Sequence, residues 1–146
     1  MIDVNIRGVL HGISAVLPLM HAQGGGHVVN VASVGAYEVV PTSAVYSATK
    51  FAVTGMAEAA RQDFNGTGVR TTLISPGMVE TPGFSHDLDA TLSSDDIARA
   101  VLFAVAQPPH MDVNDILIRP TAQESCETRA RAFWWMLASL EGCGWP

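Results

Sequence analysis

Two residues of this chain have the types and the spacing of a proton-transfer pair. Lys50 is the only lysine in the sequence, and Tyr46, one of two tyrosines, lies four residues before it. In a helix, this spacing places the phenol and the ammonium on one face, one turn apart. A cation about 4 Å from a phenol favours the phenolate by roughly 4 kcal/mol at an effective dielectric of ~20. Such a pair is suited to general acid and base chemistry near neutral pH.

The pair alone is weak evidence for a functional site, because a Tyr and a Lys four apart occur by chance in roughly a quarter of chains this long. The neighbouring sequence adds to this evidence. Ser33 ends an apolar run, 28–32, and so lies at the carboxyl end of a predicted buried strand. Residues 69–75 form a second predicted strand, which runs into a loop beginning at Pro76 and Gly77. Ligands bind at the carboxyl ends of strands in open α/β sheets. We therefore expect the serine and this loop to join the pair in one site.

Alternating helices and strands must position these residues. Hydrophobic periodicity and turn signals predict helices over 2–22, 43–65 and 94–106 and strands over 27–32, 69–75 and 114–119. Pro18 is expected to kink or loosen the last turn of the first helix. The glycine cluster 24–26 follows that helix and precedes a strand, which favours a helix C-cap and turn over a phosphate-binding loop. Short connections between alternating elements predict a parallel sheet with helical cover.

In this order and spacing, the motifs resemble the classical short-chain dehydrogenase/reductase (SDR) family. The residues that carry the resemblance are Asn5, Ser33, Tyr46, Lys50, Pro76, Gly77 and Thr81. The segment 113–121 is similar to the branch of the family that contains NADP-dependent 3-hydroxy acid dehydrogenases. The resemblance implies an α/β fold: a partial Rossmann-like, doubly wound parallel sheet that lacks the N-terminal glycine-rich βαβ half. Residues 1–122 are then expected to be the C-terminal part of one such domain, and 123–146 an atypical tail.

The resemblance also implies a role for each residue. Tyr46 would protonate a carbonyl oxygen as hydride arrives, or act as the base in the reverse oxidation. Lys50 would favour its phenolate and bind the nicotinamide ribose, while Ser33 would hold the substrate oxygen. Asn5 would fix a water in the proton relay from Lys50. The expected cofactor is NADP, with NAD left open, and its binding residues would be Tyr46, Lys50, Pro76, Gly77, Val79 and Thr81.

Two functions of different classes fit these residues. The first is an oxidoreductase that transfers hydride between NADP(H) and a small carbonyl compound or secondary alcohol. The alternative is a catalytically inactive SDR fragment that retains a helical dimerisation surface, and the activity of this chain alone is left open. The resemblance implies a homo-oligomer through helices 2–22 and 43–65. The substrate pocket is expected between loops 33–41 and 82–93, where Tyr37, Phe84 and His86 are candidates for contacts.

The composition of the chain argues against several other functions and locations. A formal charge of -6 without any cluster of basic residues argues against nucleic-acid binding. The apolar runs are shorter than the ~18 to 20 residues that a membrane span needs, and no signal peptide is evident, so we expect a cytoplasmic protein. The five histidines show no ligand spacing, which predicts no metal site. The tail holds both cysteines and all three tryptophans; it is either an amphipathic helix or a change of reading frame or fusion scar.

Overall fold

The computed structural model describes residues 1–39, 42–81 and 91–123. Three helices and three strands alternate along this part of the chain, and a wide, π-type helical turn leads directly into the first helix. The elements are the π-type turn Asp3–Gly8, α1 Val9–Ala22, β1 Gly26–Val31, α2 Ala44–Asp63, β2 Val69–Pro76, α3 Ser94–Val105 and β3 Asp115–Ile118. Each predicted helix and strand is confirmed, with ends within two residues of the expected ones, apart from the π-type opening of the first helix. The predicted tail from 124 onwards lies outside the described residues.

The strands form one parallel sheet in the order β1-β2-β3. Gly26 of β1 lies opposite Val69 of β2, and the register continues to Val31 opposite Ile74. Strand β3 joins the other edge of β2, from Asp115 opposite Leu73 onwards. The strand order therefore follows the chain without a reversal among the described residues. The predicted parallel sheet is confirmed.

Helices α1 and α2 cover one face of the sheet. One core cluster joins α2 to the carboxyl ends of β1 and β2: Ala32, Ala36, Val53, Ala57 and Leu73. A second cluster joins α1 and α2 near the other end of the sheet: Leu17, Ala60 and Val69. The small alanines let the helix approach the sheet closely. This packing holds α2, the helix that carries Tyr46 and Lys50, against the strand that precedes Ser33.

The turn between α1 and β1 is a helix C-cap. Gly24 has a φ of 78°, its N–H donates to the carbonyl of His21, and the N–H of Gly25 donates to the carbonyl of Met20. These two bonds form a Schellman motif, which satisfies carbonyls that the helix end leaves open. The C-cap prediction for the glycine cluster is confirmed. Helix α1 runs through Pro18 to Ala22 before it ends there.

Side chains bind free backbone groups at both ends of helix α3. Ser93 and Asp96 form a capping box, in which each side chain accepts a hydrogen bond from the other residue's backbone N–H. At the carboxyl end, Arg70 of β2 donates to the carbonyls of Val105 and Gln107. A cation at a helix carboxyl end also interacts favourably with the helix dipole. Arg70 therefore fixes α3 to the sheet.

A polar chain crosses the sheet from β1 to β3. Nε2 of His27 lies 2.7 Å from Oγ1 of Thr72, and this hydroxyl donates to the carbonyl of Val113 at 2.7 Å. Because the single hydroxyl proton goes to the carbonyl, His27 must donate through Nε2, and Nδ1 is left unprotonated. Nδ1 is buried and has no hydrogen-bond partner among the described residues. Burial lowers the pKa of His27, Arg70 lowers it further, and Asp112 acts in the opposite direction.

No helix in the described part of the chain combines the length and the apolar character that a membrane crossing requires.

Candidate active site

Ser33 lies at the carboxyl edge of the sheet, two residues after the end of β1. Its side chain is buried, and Oγ accepts a hydrogen bond from the N–H of Gly35 at 3.1 Å. This bond caps the short 3₁₀ turn Val34–Ala36. A hydroxyl has one proton and two lone pairs, and the bond from Gly35 uses only a lone pair. The Ser33 hydroxyl is therefore held in place, and its proton is available for a hydrogen bond to another acceptor.

Tyr46 occupies the first turn of α2, close to Ser33. A Cβ atom placed on Gly35 would lie 3.1 Å from Cε1 of Tyr46 and 3.5 Å from Oγ of Ser33. Both side chains thus lie next to the α-carbon of Gly35, where a side chain would crowd the Tyr46 ring. The Tyr46 side chain is 38% exposed, so the phenol remains accessible to a ligand. The sequence did not single out Gly35, and only the folded loop shows that it lies beside the Tyr46 ring and the Ser33 hydroxyl.

Lys50 follows Tyr46 on the same helix face, as its spacing predicts. Its Nζ lies 5.7 Å from the centroid of the Tyr46 ring. The ammonium also donates to the carbonyl of Val31, the last residue of β1, at 3.2 Å. Burial lowers the pKa of Lys50. The lysine is therefore tied to the strand end that leads to Ser33, while its charge lies next to the phenol.

Asn5 reaches the same turn of α2 through Thr49. Its Nδ2 donates to Oγ1 of Thr49 at 3.1 Å, and that hydroxyl donates to the carbonyl of Tyr46 at 2.7 Å. Thr49 is buried and lies between the tyrosine and the lysine in the sequence. The wide turn at Asp3–Gly8 carries Asn5, and π-type segments are frequent at functional sites. The sequence singled out Asn5 but missed Thr49, which connects it to the pair.

The loop after β2 begins at the same sheet edge. The N–H of Ala32 donates to the carbonyl of Ile74 at 2.8 Å, so the chain leading to Ser33 runs beside the end of β2. Pro76 is the last residue of β2, and the N–H of Gly77 donates to the carbonyl of Ile118 at 2.7 Å. Val79 and Thr81 follow in the loop, and Thr81 is exposed. The structure therefore brings the Pro-Gly loop and Ser33 to one edge, as expected from the strand ends.

The Tyr37 hydroxyl is hydrogen-bonded to residues of the sheet, although the residue is 40% exposed. Its hydroxyl donates to the carboxylate of Asp115 in β3 and accepts a hydrogen bond from Oγ of Ser75 at 3.4 Å. Burial raises the pKa of Tyr37, and the bond to Asp115 raises it further. A second link, the ion pair of Arg119 with Glu38 at 2.6 Å, lies nearby in the sequence. Both contacts anchor the loop after Ser33 to β3. Phe84 and His86, the other candidates for substrate contacts, lie outside the described residues.

No cluster of three or more potential ligands for a metal ion occurs within 1–39, 42–81 and 91–123. The side chains at the carboxyl edge are instead two hydroxyls, an ammonium and an amide. These groups are suited to binding and protonating an oxygen atom.

Comparison with known proteins identifies relatives of the chain. The family model described as short chain dehydrogenase matches residues 1–91. An uncharacterized oxidoreductase of Staphylococcus saprophyticus is 47% identical over 124 residues, which cover 82% of this chain and 53% of that protein. The chain thus spans about half the length of the curated relatives it matches.

Solved structures give the same fold. The closed form of serine dehydrogenase complexed with NADP+ superposes with a TM-score of 0.82 at 29% identity, covering 86% of this chain and 56% of that one. A 4-hydroxyisoleucine dehydrogenase complexed with NADH and succinate superposes with a TM-score of 0.74 at 25% identity, covering 84% and 57%. The fold is therefore α/β with a Rossmann-like parallel sheet.

The family match also corrects the predicted extent of the domain. The expectation was that the chain is the C-terminal part of the domain and lacks the N-terminal half. This expectation is overturned by the family match, which begins at residue 1 of the chain.

Proposed function

This chain belongs to the short-chain dehydrogenase family, and we propose that it is an oxidoreductase that transfers hydride between NADP(H) and a small carbonyl compound or secondary alcohol. The observation that carries the proposal is that Ser33 and the Tyr46 ring both lie beside Gly35, while Lys50 lies next to that ring and bonds to the end of β1. Two hydroxyl protons and one nearby positive charge are the groups that a developing alkoxide requires.

The residues at this edge also fit a nicotinamide nucleotide. The donor set is cationic and polar, the Tyr46 side chain is accessible, and residue 35 has no side chain that would crowd the Tyr46 ring. We propose that Tyr46 and Lys50, with Pro76, Gly77, Val79 and Thr81 of the loop, hold the cofactor. When bound, the cofactor supplies the hydride. NADP is preferred because a structural relative with a TM-score of 0.82 is complexed with NADP+, and NAD stays open because another relative is complexed with NADH.

The protein's part of the reaction is proton transfer at the substrate oxygen. In the reduction, the Ser33 hydroxyl donates a hydrogen bond to the carbonyl oxygen, and the Tyr46 hydroxyl gives it a proton. The Lys50 ammonium favours the phenolate that remains, by Coulomb attraction. Asn5 and Thr49 hold the first turn of α2 in register with these groups. In the oxidation, the same tyrosine takes the proton back.

The test separates binding from chemistry. The chain is titrated with NADPH and with NADH while nucleotide fluorescence and the melting temperature are followed together. It is then assayed with NADP+ against L-serine and a panel of 3-hydroxy acids, by the absorbance of the reduced nucleotide. We expect Tyr46→Phe to abolish turnover while NADPH still binds saturably, because Lys50 and the loop from Pro76 to Thr81 remain to hold the nucleotide. Absence of saturable binding of either nucleotide would overturn the proposal and favour the inactive alternative.

The second tyrosine gives a matched control. Tyr37→Phe removes the same atom, but that hydroxyl is bonded to Asp115 and Ser75 in the sheet. We expect this variant to lower the melting temperature and to retain turnover per folded molecule. Equal loss of turnover in both variants would remove the special role assigned to Tyr46.

We further propose that the chain forms a homo-oligomer through helices 2–22 and 43–65. The supporting observation is a set of exposed apolar side chains on α1 and α2: Leu10, Val16, Leu19, Val45 and Phe51. Exposed apolar side chains that lie together mark association sites in soluble proteins, and we propose that those of α1 and α2 form such a site. Sedimentation of wild type and of a Leu19→Glu, Phe51→Glu double variant tests it, and an unchanged mass would contradict it.

A further inference from the structure

The side chain of Gln123 connects the segment after β3 to the loop after β2, beyond the end of the strands. The backbone ladder ends where Pro76 lies opposite Ile118, and the N–H of Gly77 donates to the carbonyl of Ile118 at 2.7 Å. The next N–H, that of Met78, donates to the side-chain Oε1 of Gln123 at 2.9 Å. The chain after β3 has turned by this point, since the N–H of Gln123 donates to the carbonyl of Pro120 at 3.0 Å. The side-chain carbonyl of Gln123 thus satisfies a loop N–H that the backbone ladder of β2 with β3 does not reach.

The absence of a side chain at Gly77 makes this contact possible. A Cβ atom on Gly77 would lie 2.1 Å from Oε1 and 3.1 Å from Cδ of Gln123. The same atom would lie 3.1 Å from Cδ of Pro120. The Gln123 side chain therefore lies directly across the α-carbon of Gly77, at the start of the loop. Residues 77 and 123 are matched in shape although they are far apart in the sequence.

Leu92 holds the other side of the same loop. Its N–H donates to the carbonyl of Met78, and its carbonyl accepts from the N–H of Glu80, each at 2.9 Å. Val79 lies between these two bonds and pairs with Leu92 in a parallel bridge. The backbone from Met78 to Glu80 is thus fixed between Gln123 on one side and Leu92 on the other.

We propose that Gln123 is a positioning residue, which orients the cofactor-binding loop from Pro76 to Thr81 by holding the Met78 N–H. This inference rests on the proposed function, because the loop needs a fixed orientation only if it binds a nicotinamide nucleotide. Gln123 acts through the loop backbone and not through contact with the reacting atoms. Without the bond to Gln123, the segment from Met78 to Glu80 is held only by Leu92. Ordering the loop when the cofactor binds then costs free energy, and the affinity for the cofactor falls.

Three variants test the role of the side-chain oxygen. Gln123→Met keeps the length of the side chain and removes the acceptor, whereas Gln123→Glu keeps an acceptor oxygen at the same position. Gln23→Met makes the same chemical change at an exposed glutamine that bonds to Gly25. We expect the Kd for NADPH to rise about fivefold in Gln123→Met, the effect of one typical hydrogen bond. Gln123→Glu and Gln23→Met are expected to stay within about twofold of wild type.

Amide hydrogen exchange, measured without nucleotide, tests the contact itself. We expect the Met78 amide to exchange about tenfold faster in Gln123→Met than in wild type. The Gly77 amide is an internal control, because its partner is the backbone carbonyl of Ile118 and should be unaffected. A merely structural role would accelerate both amides and lower the melting temperature in proportion.

The outcomes distinguish this inference from the proposed function. Equal Met78 exchange in wild type and Gln123→Met would overturn the inference, as would an unchanged Kd for NADPH in a variant whose Met78 exchange has accelerated. No NADPH binding by wild type would overturn the proposed function, and the positioning role with it. Faster exchange at Met78 alone, weaker NADPH binding and rescue by glutamate together would support the inference.

Discussion

Thr49→Val removes the hydroxyl that connects Asn5 to the helix turn of the Tyr-Lys pair, and leaves a side chain of nearly the same shape. Thr49 is 1% exposed, so water cannot replace the lost partners. Two hydrogen bonds disappear, at 3.1 Å from Asn5 and at 2.7 Å to the carbonyl of Tyr46. The bond from Asn5 is worth about 1 kcal/mol net, the bond within the helix adds about 0.5 kcal/mol or less, and the amide left without its partner adds to the cost. We expect the free energy of unfolding to fall by about 2 kcal/mol.

Urea unfolding followed by circular dichroism measures this change, and a matched variant isolates its source. Thr54→Val removes a hydroxyl from the same helix that bonds only within it, to the carbonyl of Lys50 at 3.3 Å. That loss should cost about 0.5 kcal/mol or less, because such bonds add little to a helix. The difference between the two variants then reports the bond from Asn5.

A double-mutant cycle with Asn5→Ala measures the same bond directly. We expect a coupling energy between Asn5 and Thr49 of about 1 kcal/mol, since neighbours that share a hydrogen bond are not additive. Additivity within about 0.3 kcal/mol would refute the argument that Thr49 holds Asn5 in place.

Two further predictions concern stability. The pKa of His27 is lowered from 6.5 by burial, with Arg70 adding to the effect. The unfolded chain therefore binds the proton more readily, and the free energy of unfolding should fall as the pH drops below 6.5. His27→Gln should flatten this dependence in urea titrations at several pH values, and an unchanged slope would contradict the assignment. Gly66 and Gly68 both have a φ of 80°, but only at Gly68 would a Cβ atom meet backbone, the carbonyl oxygen of Gly24 at 2.6 Å. Gly66→Ala should cost about 1 kcal/mol and Gly68→Ala clearly more in thermal unfolding, and equal losses would count against the steric argument.

Local patterns were sufficient to predict the elements of this fold and the spacing within the candidate site. Helix periodicity placed Lys50 one turn after Tyr46, and the structure shows the ammonium over the phenol ring. The apolar run before Ser33 predicted a strand that ends at the ligand-binding edge, and that strand is β1. These predictions succeed because each depends on residues that are close in sequence.

The contacts that the sequence missed are those between distant segments. Nothing in the local sequence distinguishes Thr49 from other helix residues. Its role comes from the hydrogen bond donated by Asn5, which lies 44 positions away. Gln123 was assigned to the tail, yet its side chain bonds to Met78 across 45 positions. The extent of the domain was also mispredicted: its assignment as a C-terminal part came from family resemblance, and the family match begins at residue 1. The boundary at 122 between domain and tail stays a prediction.

The hydrogen-bond partner of Lys50 explains how a half-buried cation can keep its electrostatic effect on a neighbouring phenol. Lys50 donates to the carbonyl of Val31, which offsets part of the cost of burial but carries no net charge. A carboxylate in that place would cancel most of the field at Tyr46, since opposite charges a few ångströms apart screen each other. The ion pairs within the described ranges belong to arginines instead: Arg7–Asp3, Arg61–Glu58, Arg99–Asp96 and Arg119–Glu38. The lowered pKa of Lys50, caused by burial, is the direction expected for an ammonium without an acidic partner. The strand end that positions Ser33 therefore also holds the cation, and it does so without neutralising the charge that the chemistry would use.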